Sequence, residues 1–162
     1  MDYSDASVAT VLAFLAVVTV ATGPLLPAVG LSAGSAHPVG SGDAAVTLER
    51  PPVDGLELVR GDFDAGTYHL ESTPGRVAVD DVSGNPALKL TVDVPGIYYS
   101  DVRTYELGGR SGESVRLRFP AVDVSPEYVT ANRYDATVGV WLRTGDEYDQ
   151  LYQETVTVEV RR

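Results

Sequence analysis

Polar and apolar side chains alternate with a period of two along most of the chain after residue 44. The clearest run spans residues 87–94, where every second side chain is Leu or Val and the residues between them are Lys, Thr and Asp. Successive side chains of a β-strand point to opposite faces, so this period indicates half-buried strands. Similar runs recur between segments rich in Gly, Pro and Asn. The pattern therefore predicts an all-β, antiparallel sandwich of about nine short strands.

The alternation also predicts which side chains face the core. A shift of one residue would move the whole apolar set of a strand to its other face, so each strand makes a definite prediction. The predicted core consists of Leu88, Leu90, Val92, Val115, Leu117, Val138, Val140, Val156 and Val158.

Gly and Pro mark the predicted turns. Pro74-Gly75 and Pro95-Gly96 are predicted to form type II turns, because Pro suits the second position of that turn and Gly suits the third. Residues 108–112 read Gly-Gly-Arg-Ser-Gly. This segment is predicted to close a hairpin between residues 97–107 and 113–119.

The N-terminal part of the chain has a different pattern, because residues 6–31 contain no charged side chain. As a helix rising ~1.5 Å per residue, this segment would exceed the ~30 Å apolar core of a bilayer. It is predicted to be a transmembrane anchor. A cleaved signal, ending near residues 34–37, is the alternative, although a signal usually begins with Lys or Arg and no basic residue precedes Arg50.

These patterns divide the chain into three predicted segments. Residues 1–31 are predicted to be a membrane anchor or signal segment, forming one N-terminal apolar helix. Residues 32–43, rich in Gly and Ser, are predicted to be a flexible tether. Residues 44–162 are predicted to be one β-sandwich domain outside the cytoplasm, held at the cell membrane or, in the alternative, secreted after cleavage.

Charge narrows the classes of function. The chain has 23 acidic and 12 basic side chains, and every basic residue except Lys89 is Arg. Nucleic acid is not an expected partner, because phosphate binding needs clusters of basic residues. At ~1 M salt the Debye length is only ~3 Å, so a large acidic excess costs little and is typical of a halophilic protein. The chain contains no Cys, which excludes disulfides and thiolate chemistry.

Residues 134–142 read Tyr-Asp-Ala-Thr-Val-Gly-Val-Trp-Leu and follow Ser125-Pro126-Glu127, which predicts a single helical turn with Ser as its N-cap. Together with residues 154–160, they resemble the E–F crossing and the F and G strands of immunoglobulin-like and fibronectin III-like domains. The resemblance implies that Tyr134 is a corner tyrosine, two residues before the place where antibody domains carry their second Cys. The acidic, Arg-biased chain with its apolar N-terminal segment also resembles exported or membrane-anchored haloarchaeal proteins.

Few side chains suggest a catalytic or metal centre. The chain has two His residues, one in the tether and one on a predicted strand, so no triad or His-based zinc site is expected. No cofactor is predicted. Loop carboxylates are common Ca²⁺ ligands, although a solvated acidic surface is the favoured interpretation of such clusters here. The weak candidates for a metal site are Asp62, Asp64, Asp146 and Asp149.

Tyr is the other residue that suggests a function, because exposed Tyr clusters often mark protein contacts. The candidate contact surface consists of Tyr98, Tyr99, Tyr105, Tyr148 and Tyr152, although Tyr side chains at the rims of the sheets with their hydroxyls in water are the favoured interpretation. The leading hypothesis is a non-enzymatic structural or interaction module, tethered at the cell surface of a halophile. The alternatives are a secreted small-ligand-binding or calcium-binding domain, and an exported enzyme whose site the sequence does not reveal.

Overall fold

A computed structural model describes residues 37–61 and 66–162, and the predicted anchor, residues 1–31, lies outside the described residues. The described residues form nine strands and two short 3-10 helices, so the prediction of an all-β fold is confirmed for them. The 3-10 helices span Pro95–Ile97 and Pro126–Tyr128. The strands are β1 (Ser41–Arg50), β2 (Glu57–Arg60), β3 (Tyr68–Glu71), β4 (Gly75–Asn85), β5 (Ala87–Val94), β6 (Tyr99–Glu106), β7 (Ser114–Leu117), β8 (Arg133–Thr144) and β9 (Glu147–Arg161).

The strands form two sheets. The smaller sheet has the order β1-β4-β7, and the larger has the order β3-β2-β9-β8-β5-β6. All neighbouring strands are antiparallel except β2 and β9, which run parallel. The parallel pair differs from the all-antiparallel prediction. Because β2 and β9 are far apart in the chain, no hairpin turn dictates their relative direction.

The buried side chains of both sheets belong to one hydrophobic cluster. The predicted core residues are all buried except Val156, which is partly buried and packs against the same cluster. In β5, for example, Leu88 and Leu90 are buried while Lys89 between them is partly exposed. The predictions of which side chains face the core are therefore confirmed. The same cluster contains side chains from β2 and β3, namely Leu58, Tyr68 and Leu70.

The segment after β6 is not the predicted hairpin. β6 lies at one edge of the six-stranded sheet, whereas β7 pairs with β4 in the three-stranded sheet, so the chain crosses between sheets here. Two backbone hydrogen bonds fix the crossing: Leu107 N–H donates to the carbonyl of Pro86, between β4 and β5, and Gly112 N–H donates to the carbonyl of Val79 in β4. Alternation reports which face of a strand is buried but not which strand lies beside it, and this explains the wrong prediction.

Tyr134, at the start of β8, fastens the loop that leads into this strand. Its hydroxyl accepts a hydrogen bond from Ala131 N–H at 2.8 Å and donates to the Tyr128 carbonyl at 3.4 Å. Pro126–Tyr128 forms the predicted helical turn, although the Ser125 side chain makes no capping hydrogen bond. The two hydrogen bonds of Tyr134 therefore tie this turn to the six-stranded sheet.

Candidate functional site

The structure distributes the five Tyr residues of the candidate contact surface over several parts of the domain. Tyr98 and Tyr99 lie together where β6 begins, and Tyr105 lies near the other end of that strand. Tyr148 follows the turn between β8 and β9, and Tyr152 lies further along β9. Only Tyr98 and Tyr99 are thus brought together, as neighbours in the chain.

Tyr105 and Tyr148 make contacts within the domain. The Tyr105 hydroxyl accepts a hydrogen bond from Arg118 N–H at 2.7 Å and donates to the Arg118 carbonyl at 2.8 Å. Lys89 Nζ lies 5.3 Å from the centroid of the Tyr148 ring, and Arg143 Cζ lies 5.8 Å from it. These distances are typical of cation–π contacts. Both rings therefore already have partners within the chain.

Tyr152 also has a partner within its own strand. Its hydroxyl donates a hydrogen bond to the Glu154 carboxylate. Partial burial, with this hydrogen bond and the negative charges of Glu154 and Asp54, raises the pKa of Tyr152 to about 12. The hydroxyl is consequently neutral at physiological pH and acts as a hydrogen-bond donor.

Tyr98 has an unusual backbone conformation. It ends the 3-10 helix Pro95–Ile97 in the left-handed region, with φ of 54°, and is the only non-Gly residue with positive φ in the described part of the chain. The predicted type II turns at Pro95-Gly96 and Pro74-Gly75 are wrong, because neither Gly has the positive φ that such a turn requires. Gly96 serves packing instead, since a Cβ there would lie 2.7 Å from the Tyr134 ring.

Tyr98 meets a second exposed tyrosine, Tyr128, at the end of the 3-10 helix Pro126–Tyr128. The ring centroids are 5.9 Å apart and the ring planes make an angle of 71°, an edge-to-face arrangement. Tyr98 is 87% exposed and Tyr128 is 46% exposed. Tyr128 is not one of the five Tyr residues predicted from sequence for the contact surface. Its position directly after Ser125-Pro126-Glu127, in the predicted helical turn, was the available signal.

Tyr99 has the opposite environment. Only 7% of its surface is exposed, and its buried hydroxyl has no hydrogen-bond partner among the residues that the structure describes. Burial, and to a lesser degree the negative charge of Asp101, raises the pKa of Tyr99 to about 12. A buried hydroxyl without a partner is costly, so Tyr99 is an exception to ordinary core packing.

These residues line a depression of about 400 Å³, which we name the tyrosine cleft; residues 97–100 form one side, and residues 122–125 with Tyr128 form the other. The second side is held in place by Val124, which exchanges two backbone hydrogen bonds with Tyr68 of β3, at 2.9 and 2.6 Å. Val122, in the same wall, is 40% exposed. The cleft therefore combines open apolar surface with a fixed backbone.

The tyrosine cleft has an acidic character. Asp123 is among the lining residues that the structure describes, and these include no Lys, Arg or His. Asp101 follows two residues after Tyr99, and Glu127 directly precedes Tyr128. A positively charged group would be favoured at such a site and an anion disfavoured.

The candidate metal ligands form no recognisable site in the described residues. Asp62 and Asp64 lie outside the described residues. Asp146, in the turn between β8 and β9, and Asp149, in β9, are both exposed. Within residues 37–61 and 66–162, no three His, Asp or Glu side chains are grouped closely enough to hold a metal ion. Calcium binding at these loops stays an alternative to the favoured solvated acidic surface.

No model of a known protein family matches the chain. Neither a curated protein nor a solved structure is significantly similar to it. The chemistry of the tyrosine cleft therefore has to be read from its own side chains. None of the helices formed by the described residues is long and apolar enough to cross a membrane.

Proposed function

We propose that the chain is a membrane-tethered, extracytoplasmic immunoglobulin-like β-sandwich that binds another protein and is not an enzyme. Residues 6–31 are the proposed membrane anchor, because their uncharged sequence is long enough to span a bilayer. Secretion after cleavage of this segment is the alternative location. The observation that carries the binding role is the exposed pair of Tyr98 and Tyr128 in the tyrosine cleft.

Strand order supports the immunoglobulin-like part of the proposal. Immunoglobulin domains place strands A, B and E side by side in one sheet and C, F and G in the other. The three-stranded sheet β1-β4-β7 has the order expected of A-B-E, and β5-β8-β9 has the order expected of C-F-G. β6, beside β5, takes the position of the additional C′ strand of variable domains. β2 and β3 are then additions at the edge beside β9.

Tyr134 supports the same assignment. In immunoglobulin-like domains, a corner tyrosine near the start of strand F donates its hydroxyl to the backbone a few residues upstream. Tyr134 stands at the second residue of β8, and its hydroxyl bonds to the backbone of Ala131 and Tyr128. The likeness is to the corner itself and not to the disulfide-bearing subgroup, since the chain contains no Cys.

The tyrosine cleft lies far from His37, the first described residue. His37 lies beside Asn85, whose side chain donates a hydrogen bond to the His37 carbonyl at 3.4 Å. β5 begins two residues after Asn85 and ends at Val94, immediately before the turn that carries Tyr98. An eight-residue strand spans roughly 25 Å, so the tyrosine cleft lies roughly 25 Å from His37.

Exposure of the two rings is the physical reason for assigning a binding role. Tyr offers a large, rigid contact area with a polar tip, and it is enriched at protein interfaces. Of the six exposed large apolar residues in the described part of the chain, three line this cleft: Tyr98, Val122 and Tyr128. An isolated exposed Tyr would need no explanation, but a pair in contact beside an exposed Val forms a patch.

Two experiments on intact cells test the proposal. A protease added outside should remove the domain while a tag on the N-terminus stays in the membrane pellet, and a full-length soluble species in the cytoplasm would refute the tether. A shortened form in the medium, beginning near residues 34–37, would select the secreted alternative. For the binding role, a photo-reactive phenylalanine at position 98 should cross-link a defined partner protein. The matched control is the same group at position 148, which is 48% exposed but lies beside the β8–β9 turn.

A further inference from the structure

Three departures from ordinary structure coincide at the tyrosine cleft. Among the described residues, Tyr98 is the only non-Gly residue with positive φ, and the Tyr99 hydroxyl is the only buried side-chain polar atom without a hydrogen bond. Tyr98, Tyr128 and Val122 also expose apolar surface there. Strained backbone and unsatisfied polar groups are costly, and they concentrate at binding sites. Their coincidence distinguishes this cleft from the other shallow depressions of the surface.

Among the described residues, the rings of the cleft lack the cationic partners that the rings of Tyr105 and Tyr148 have. Arg103 Cζ lies 5.4 Å from the centroid of the Tyr105 ring, and Lys89 and Arg143 lie over Tyr148. In the described part of the chain, no Lys or Arg lies over the ring of Tyr98 or Tyr128. The face of an aromatic ring attracts cations, so the exposed rings offer unfilled positions for one.

The charge of the cleft favours the same occupant. Asp123 lines the cleft without a basic neighbour in the lining, and Asp101 lies close enough to Tyr99 to raise its pKa. None of the salt bridges of the described residues involves Asp101, Asp123 or Glu127. A carboxylate beside an open aromatic face suits a group that is flat, cationic and rich in N–H donors.

We propose that the tyrosine cleft binds an arginine side chain from a basic segment of a partner protein. The guanidinium stacks on the exposed rings, and its N–H groups donate to the Asp123 carboxylate. Arg is favoured over Lys because its planar guanidinium stacks on aromatic rings and forms bidentate hydrogen bonds with carboxylates. This inference rests on the proposed binding role and adds the chemistry of the partner.

The test uses the full chain in non-ionic detergent micelles at about 0.15 M salt, where contact-range charge interactions persist. The probe is a capped Gly-Arg-Gly-Arg-Gly peptide, and its control carries citrulline, which is uncharged and close to Arg in shape. Ring-labelled Tyr is followed by nuclear magnetic resonance, and the Tyr98 signal is assigned by its loss in the Tyr98→Gly variant. We expect the arginine peptide to shift the signals of Tyr98 and Tyr128, and the citrulline peptide to bind at least about fivefold more weakly.

Three variants separate binding from folding. Tyr98→Gly removes the ring and suits the positive φ, and Asp123→Asn removes the charge while keeping the shape; each should weaken binding by at least about fivefold. Asp149→Asn, an exposed acid in β9, is the matched control and should change binding by less than about twofold. Thermal unfolding of each variant verifies that it folds.

Several outcomes would overturn the proposal. Equal binding of the arginine and citrulline peptides would refute recognition of the cation, and shifts confined to Tyr148 would refute this cleft as the site. Self-association that Tyr98→Gly abolishes would assign the cleft to a second copy of the chain. If position 98 cross-links a partner in cells but the arginine peptide does not bind, the binding role stands and the arginine chemistry fails. If position 98 also fails to cross-link, the proposed function fails with it.

Discussion

The same substitution, Tyr to Phe, is expected to have opposite effects on stability at two positions. In Tyr99→Phe the lost hydroxyl is buried and has no partner in the described structure. A buried polar group without a hydrogen bond costs about 1–3 kcal/mol, so its removal should stabilise the fold by about 1–2 kcal/mol. In Tyr134→Phe the lost hydroxyl makes two backbone hydrogen bonds, and the loss should cost about 1 kcal/mol.

Thermal unfolding of the full chain in detergent micelles, followed by circular dichroism, measures both effects. For a domain of this size, 1 kcal/mol shifts the midpoint by about 4 °C. Tyr99→Phe should therefore raise the midpoint by about 4–8 °C, whereas Tyr134→Phe should lower it by about 4 °C. If Tyr99→Phe lowered the midpoint as much as Tyr134→Phe does, the Tyr99 hydroxyl would have a hydrogen-bond partner in the folded chain, and the description of it as an unpaired buried group would be wrong.

The stability of the folded chain at alkaline pH provides a second test of the Tyr99 hydroxyl. Burial raises the pKa of Tyr99 from 10 to about 12 in the folded chain, so the folded state holds this proton more tightly than the unfolded state does. The corresponding stability is fully present below pH ~10 and is lost as pH rises through ~12. The advantage of Tyr99→Phe over the natural chain should grow across this interval. Tyr152, whose pKa is also raised, is present in both proteins and cancels from the comparison.

Two further predictions concern the core and the surface charge. Leu90→Ala should destabilise the domain by about 2–5 kcal/mol in chemical unfolding, because Leu90 is buried. Lys89→Ala, on the opposite face of β5, should cost well under about 1 kcal/mol. Similar losses at both positions would contradict the assignment of the buried face of β5. The unfolding midpoint should rise from dilute buffer to multimolar KCl, since salt screens the 21 acids and 12 bases of residues 43–162 and strengthens apolar burial. A flat midpoint would refute the proposed adaptation to salt, and stabilisation by millimolar Ca²⁺ beyond that of NaCl at equal ionic strength would indicate a specific metal site.

Most of the strands and their buried faces could be predicted from sequence because both depend on a local signal. In β5, the alternation of Leu and Val with Lys, Thr and Asp is sufficient to assign the inward face, and the structure has the same register. The partners of each strand could not be predicted in the same way. β6 and β7 have the pattern of a hairpin, yet β6 pairs with the preceding strand β5 and β7 pairs with β4 in the other sheet. Pairing of this kind depends on the packing of the whole core, which local alternation does not encode.

The candidate site, too, could be predicted from the sequence only in part. Tyr98 and Tyr99 could be chosen from sequence as aromatic residues near a turn, but adjacent tyrosines have opposite environments, one exposed and one buried. Tyr128 joins Tyr98 only because two separate loops meet in the fold. The left-handed conformation of Tyr98 is also hidden in the sequence, since Pro95-Gly96 assigns the special backbone to Gly96. A local rule fails where tertiary packing decides the conformation, and such failures are expected at functional sites.

The energetics of the tyrosine cleft connect its stability to its role. Positive φ at Tyr98, the unpaired hydroxyl of Tyr99 and the exposed rings each lower the stability of the free domain, and simple substitutions such as Tyr98→Gly or Tyr99→Phe would remove these costs. A partner that covers the rings would recover part of the lost free energy on binding. If the cleft binds as proposed, Tyr98→Gly should stabilise the free domain and weaken the complex, a trade-off known at other functional sites.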